Sequence, residues 1–368
     1  MRIKSKSKKS LEASSLWILP FTALSGIMLM LSYILEIIGG GNISENLGEV
    51  TVFGRLFLGI SRLLEELLLP VISGLTALKI AAPKALPAGV LGGYLTAVGY
   101  SFLNPFGGLS STTGIFGAVV SGVTAGYLTE VFEKLSGRIT DRYLREFSVS
   151  VLGTLSTILF SMGINTVWGI ASYYLSFPLG YLATVSSPLV YFILGILINL
   201  NPGSAFYVSA ISVFGTMSAL GTGNATGALF TALGVPVVSL FISALASPED
   251  FSKPEWFTYI FGVLLGFGGI GVTAVPYYVK HPLRASVCFS LGGAMASLLS
   301  LQYDIGTTGI TGGFLGANSE NPILLGLIIL CSAFFSSTVN AVWGYFENPN
   351  RYKKYNVFSY ESTKKASD

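Results

Sequence analysis

Long apolar runs alternate with short polar breaks along most of the chain. The first run, Leu16–Ile38, is long enough to cross about 30 Å of hydrocarbon as a helix. Ten more cover roughly 56–78, 85–103, 112–129, 148–170, 181–200, 204–220, 226–246, 257–279, 285–302 and 322–345. None carries the strict alternation of a barrel strand, so the pattern predicts helices stacked side by side. Eleven full crossings would put the two chain ends on opposite sides. Both ends are basic, however: Arg2, Lys4, Lys6, Lys8 and Lys9 open the chain, and Arg351, Lys353, Lys354, Lys364 and Lys365 lie in its tail. Basic flanks face the cytoplasm, so at least one run is expected to enter and leave on the same side. The first run lacks a small-residue cleavage site and reads as an uncleaved span. The largest internal break, Glu130–Glu146, mixes four positive charges with acids and is expected as an amphipathic helix at the cytoplasmic lipid surface.

Composition fixes the solvent. Hydrophobic residues make up 51% of the chain and charged residues 11%, against about 25% charged in a soluble domain. A soluble enzyme and a nucleic-acid-binding domain are excluded, because neither keeps so apolar a surface in water. The net charge of +3 implies no anionic partner. The two cysteines, Cys288 and Cys331, sit in apolar stretches without CxxC spacing, and His281 is the single histidine. No metal site and no cofactor are expected from this inventory, and there is no GxxxxGK[ST] phosphate loop.

Polar, glycine-rich interruptions carry the candidate chemistry. Leu220-Gly-Thr-Gly-Asn-Ala-Thr-Gly227 and Asp304-Ile-Gly-Thr-Thr-Gly-Ile-Thr-Gly-Gly313 place hydroxyls and an amide between apolar runs, and Asn104–Gly114 is a weaker third. Broken helices of this kind mark binding sites near the bilayer midplane, because irregular backbone survives there only beside protein or a wet cavity. Close helix packing and an ordinary loop are the plain alternatives. The candidate substrate contacts are Thr222, Asn224, Thr226, Thr308 and Thr311, with Asp304 as the one carboxylate beside them. Of the other charges, Glu36 is an intramembrane candidate by default. Glu65 and Glu66 beside Arg62 read as an interfacial cluster. Lys280 and Arg284 read as a positive-inside anchor or a face for a phosphorylated partner. Trp168 is a minor candidate for sugar stacking, and Gly92-Gly93, Gly122/Gly126 and Gly292-Gly293 read as helix contacts.

Several stretches, in order, resemble the membrane subunit, enzyme IIC, of fructose-type sugar phosphotransferase systems. Ile18-Leu-Pro-Phe-Thr-Ala-Leu-Ser-Gly-Ile27 is similar to the family's "MLPFVVAGGI", and Leu69-Pro-Val-Ile-Ser-Gly74 to "VPVLAGY". Pro87–Leu95 looks like "APGLIGGYLA", Gly114–Tyr127 like "GFLGGIIAGFLAGY", and Ala274–Arg284 like "AIPFAAADPLR". The match thins at the polar motifs. "GGPVNKAA" corresponds to Gly221–Ala228 and keeps Asn224 without the proline and lysine. "GISEGAIP" corresponds to Gly269–Pro276, with Val272 at the glutamate, and "PHGGI" to Ile310–Phe314, with Thr311 at the histidine. Val272 has no titratable group, and a threonine is no base near neutral pH, so the general-base help of about 10²–10⁴-fold that such a pair supplies is missing at these positions.

The fold expected is all-α and polytopic, with about ten transmembrane helices and one or two re-entrant hairpins. A basic cytoplasmic segment at 1–15 would precede a membrane transport domain at 16–345 and a polar cytoplasmic tail at 346–368. The resemblance implies a permease for a small neutral sugar or polyol in the cytoplasmic membrane, in contact with lipid. It also implies a homodimer and separate cytoplasmic phosphate-carrier subunits, which any phosphorylation would require. A non-catalytic regulator on the same scaffold and a transporter uncoupled from phosphorylation are the rivals.

Overall fold

The computed structural model describes residues 2–41, 47–182, 188–307, 319 and 321–347. Those residues fold as helices: α1 (Arg2–Ile38), α2 (Val52–Ala81), α3 (Leu86–Val98), α4 (Gly114–Leu135), α5 (Arg142–Leu182) and α6 (Pro188–Leu200) in the first part. They continue with α7 (Ala205–Ala219), α8 (Asn224–Ala246), α9 (Lys253–Phe267), α10 (Val275–Lys280), α11 (Pro282–Gln302) and α12 (Pro322–Glu347). This is an all-α, multi-pass membrane protein. Six of its described helices are long and apolar enough to cross a bilayer: α1, α4, α5, α8, α11 and α12. α2 has the length, 30 residues, but carries Arg62, Glu65 and Glu66 in its middle.

Two groups of helices share one body. In the first, α1 lies along α2, and α2 packs on α3 and α4, with α5 against α3 and α4. In the second, α8 is the axis, surrounded by α9, α11 and α12, while α6 lies along α11. α8 is apolar on all sides and nearly wholly buried, as a central helix must be. Small residues let these helices approach. A Cβ on Gly93 would come within 2.6 Å of the Leu69 carbonyl, and one on Gly122 within 2.5 Å of that of Ser73. Gly293 is pressed in the same way on the Gly195 carbonyl, at 2.5 Å. The glycine pairs are therefore packing contacts.

Helix ends are closed locally. Glu36, fully buried, accepts from the Val50 and Thr51 amides at 3.1 and 3.0 Å and from the Thr51 hydroxyl at 2.7 Å. Thr51 in turn caps α2 by accepting from Gly54 N–H at 3.0 Å. Glu36 is thus a joint between α1 and α2. The 130–146 stretch departs from expectation. α4 runs to Leu135, a single 3₁₀ turn follows at Ser136–Arg138, and α5 starts at Arg142, so the polar break is a tight connection and not a surface helix. Its acids are used: Glu130 pairs with Lys6 of α1, and Glu133 with Lys84. The basic N-terminal residues simply extend α1.

Candidate functional site

Two irregular segments meet inside the helix bundle. α6 and α7, of 13 and 15 residues, are each about 20 Å long. The turn that joins them, Asn201-Pro-Gly-Ser204, rests on the non-helical stretch between α3 and α4. Ala205 N–H donates to Thr112 O at 2.8 Å, and Ile115 N–H to Pro202 O at 3.3 Å. The Asn201 side chain donates to Thr113 O at 2.8 Å and accepts from Phe116 N–H at 3.2 Å. Asn165 of α5 completes the set: its amide donates to Leu95 O and Tyr100 O at 2.8 and 2.7 Å, and its oxygen accepts from the Thr113 hydroxyl at 2.9 Å. Buried backbone outside helices is satisfied here by two asparagines. The short helices that flank 201–204 have the dimensions of a re-entrant hairpin. The sequence pointed first to 220–227 and 304–313, which are rich in glycine, and more weakly to Asn104–Gly114, the segment on which this turn rests.

Leu220–Gly227 also meets 304–307, the described part of the second segment. Leu220–Gly223 is a tight turn, with Gly221 in the left-handed region at φ +91°. Thr222 N–H there donates to Met217 O at 2.9 Å, closing the end of α7. α8 starts at Asn224, whose amide donates to Asp304 Oδ1 at 2.9 Å and whose oxygen accepts from the Tyr191 hydroxyl. The Thr226 hydroxyl donates to Thr307 O at 2.6 Å. Thr222, Asn224, Thr226 and Asp304 therefore stand at one junction between α8 and the end of α11. Thr308 and Thr311 lie outside the described residues.

A cavity of about 480 Å³ lies alongside α8, on the stretch that carries Phe230, Leu233 and Pro236. Its walls come from both irregular regions. Asn199, Pro202 and Gly203 contribute from the α6–α7 turn, and Gly268–Val272 from the break between α9 and α10. Tyr33, Tyr207 and Tyr278 add aromatic faces, and Glu65 of α2 reaches it. Tyr278 donates its hydroxyl to Asn199 O at 2.7 Å, which fixes that ring. Gly269 turns at φ +71°, and a Cβ there would come within 2.5 Å of the Phe230 ring. Val272 lines this cavity. Sequence reasoning assigned Glu65 to an interface. The signal that could have found it was a carboxylate in the middle of a helix-length apolar run.

Other sequence candidates are spoken for. Lys280 is paired with Glu255, 1% exposed, at 2.8 Å. Arg284 donates to the Asn340 side chain and backbone oxygens at 2.6 and 2.7 Å. Both line a second hollow of about 420 Å³ with His281 and Lys8. Burial and the positive charges of Arg284, Lys280 and Lys8 push the His281 pKa down to about 3. Trp168 stacks at 4.8 Å on Phe206 and is not part of the larger cavity's wall.

The class defined so far is a helical membrane protein with broken helices around a cavity. Comparison with known proteins gives that class its nearest context. No protein-family model matches the chain. It is 24% identical over 305 residues to the PTS system fructose-specific EIIABC component of Mycoplasma pneumoniae, covering 77% of this chain and 43% of that protein. It is 23% identical over 303 residues to the fructose-like permease IIC component 2 of Escherichia coli, covering 79% of each. The PTS system fructose-specific EIIC component of Haloferax volcanii is 23% identical over 370 residues, covering 90% of this chain and 91% of its own length. The chain thus spans less than half of the first relative and most of the other two. The resemblance to fructose-type enzyme IIC is shared by all three.

Proposed function

We propose that this chain is a sugar permease of the fructose-type enzyme IIC kind, moving a neutral polyhydroxy substrate by alternating access. The observation that carries the reading is the 480 Å³ cavity between two breaks in helical structure, in a chain resembling fructose-specific components along most of its length. Its volume is that of small-molecule sites generally. Carbonyls freed by the breaks, phenol groups and ring faces are the groups that suit sugar hydroxyls and C–H faces. Thr222, Asn224 and Thr226, with Asp304, form the second polar element of the path, at the end of the helix that walls the cavity, and Thr308 and Thr311 follow Asp304 closely in sequence as further candidate contacts. The setting is the cytoplasmic membrane, with a cytoplasmic N-terminus, a second copy of the chain and separate phosphate-carrier subunits.

A second reading, transport uncoupled from phosphorylation, is favoured by one observation. The cavity wall carries Val272, which cannot take up a proton. Uptake of labelled fructose and a sugar and polyol panel, with and without phosphate-carrier subunits, separates the readings. Phosphorylated product only with the carriers supports coupled transport. Unmodified sugar inside the cell supports the uncoupled form. No uptake by correctly inserted protein leaves the regulator. Unchanged binding of every ligand after Asn224→Ala combined with Thr311→Ala would remove the junction from the path.

A further inference from the structure

Glu65 is the charged residue among the described lining of the larger cavity. It stands near the middle of α2 and opposite Ser25, near the middle of the apolar run of α1. A carboxylate at that depth costs free energy in any role, and helix packing does not require one. Its contact with the Ser25 hydroxyl is long, at 3.4 Å, while Ser25 and Ser61 are engaged with each other through Ser61 Oγ to Ser25 O at 3.0 Å. The carboxylate is held by the Ser25 and Ser61 hydroxyls with Arg62 nearby, and its exposed side lines the hollow. Tyr207, Tyr278 and the Phe230 ring line the same cavity.

We propose that Glu65 is the hydroxyl acceptor of the binding cavity: its carboxylate receives a hydrogen bond from one hydroxyl of the sugar, while the aromatic walls cover the C–H face. The proposal rests on the permease reading and adds to it the charged group that the positions of Val272 and Thr311 do not supply. A charged acceptor holds a hydroxyl more firmly than a neutral one. It also gives the site a direction, since one particular hydroxyl must point toward α2.

The test is equilibrium binding of labelled fructose and its monodeoxy analogues to the purified full chain in lipid nanodiscs, for wild type, Glu65→Gln and Glu65→Asp. The expected result is a Kd raised about 10–100-fold in Glu65→Gln. Glu65→Asp should be intermediate. One deoxy analogue, lacking the hydroxyl in question, should bind wild type and Glu65→Gln equally well. A Glu65→Gln variant with wild-type Kd, or equal losses for every analogue, overturns the Glu65 assignment and leaves the permease reading standing. A wild-type chain that binds no sugar of the panel overturns both. Thermal unfolding of Glu65→Leu gives a readout without ligand. A residue kept for binding predicts an unchanged or raised Tm, and a fall matching that of a core truncation assigns Glu65 to the fold and overturns the proposal.

Discussion

The Asn224 amide donates to the Asp304 carboxylate at 2.9 Å, tying the start of α8 to the end of α11. Asp304 also sits at φ +49°, in the left-handed region that closes α11, where Ile305 N–H donates to Ser300 O at 3.0 Å. Aspartate tolerates that conformation better than most residues. Two contributions can thus be separated by substitution. Asp304→Gly keeps the turn and deletes the bond, so stability should fall by under about 1 kcal/mol. Asp304→Leu deletes the bond and strains the turn, adding about 1–2 kcal/mol. Thermal unfolding of the three proteins in one detergent measures both steps.

Gly269 should tolerate no side chain. An added Cβ meets the Phe230 ring at 2.5 Å in a backbone conformation, φ +71°, that favours glycine. Gly269→Ala is expected to lose about 1–2 kcal/mol from the left-handed turn alone. It should also drive the Phe230 ring toward the cavity and weaken sugar binding. Phe230→Leu in the Gly269→Ala background should recover binding more than stability. Kd and Tm measured on the same preparations distinguish the two.

The Glu255–Lys280 pair is the firmest ion pair described. Glu255 also accepts from Ser252 N–H at 2.8 Å in a capping box at the start of α9. Glu255→Gln preserves that box in kind, because glutamine serves there as well, yet leaves the Lys280 ammonium without its counter-charge. Removing one partner of a buried pair costs about 3–5 kcal/mol. Combining it with Lys280→Met should restore most of the loss. A double variant as unstable as Glu255→Gln alone would mean the cap, and not the charge, is what matters.

Stability should depend on pH through His281. Its pKa of about 3, against an ordinary 6.5, means the folded chain holds it neutral where an unfolded chain would protonate it. The unfolded state then binds more protons between those values, so stability rises with pH across that window and is level above it. The acidic groups facing the same hollow are Glu12, Asp250, Glu255 and Glu347. The His281 contribution is read cleanly between about pH 5 and 7. Tm should climb over that interval in wild type and be flatter in His281→Gln.

Periodicity and composition revealed the helical, multi-pass class because the lipid-facing and core positions are apolar alike, and Leu16–Ile38 or Pro322–Glu347 can hardly be anything else. The pairing of 220–227 with 304–307 was legible too, since polar breaks in apolar sequence have to satisfy one another. The α6–α7 turn was harder to read. Asn201-Pro-Gly-Ser204 looks like any surface turn until Thr113, Ile115 and Phe116 are seen to supply its partners from a distant part of the chain. The cavity position of Glu65 was hidden for a related reason. Charge beside Arg62 and Glu66 resembles an interface, and only the fold puts Glu65 in one cavity lining with Tyr207, Tyr278 and Gly203.

The bonds joining Thr112, Thr113, Ile115 and Phe116 to Asn201, Pro202 and Ala205 have a mechanical consequence. Two stretches far apart in sequence are riveted at a single point, so neither can slide past the other without exposing amide and carbonyl groups to hydrocarbon. In any transport cycle that point travels as one part, and probes attached at Thr112 and Ser204 should keep a constant separation. The displacement that opens and closes the cavity then belongs to its far wall, where Gly268–Val272 link α9 to α10.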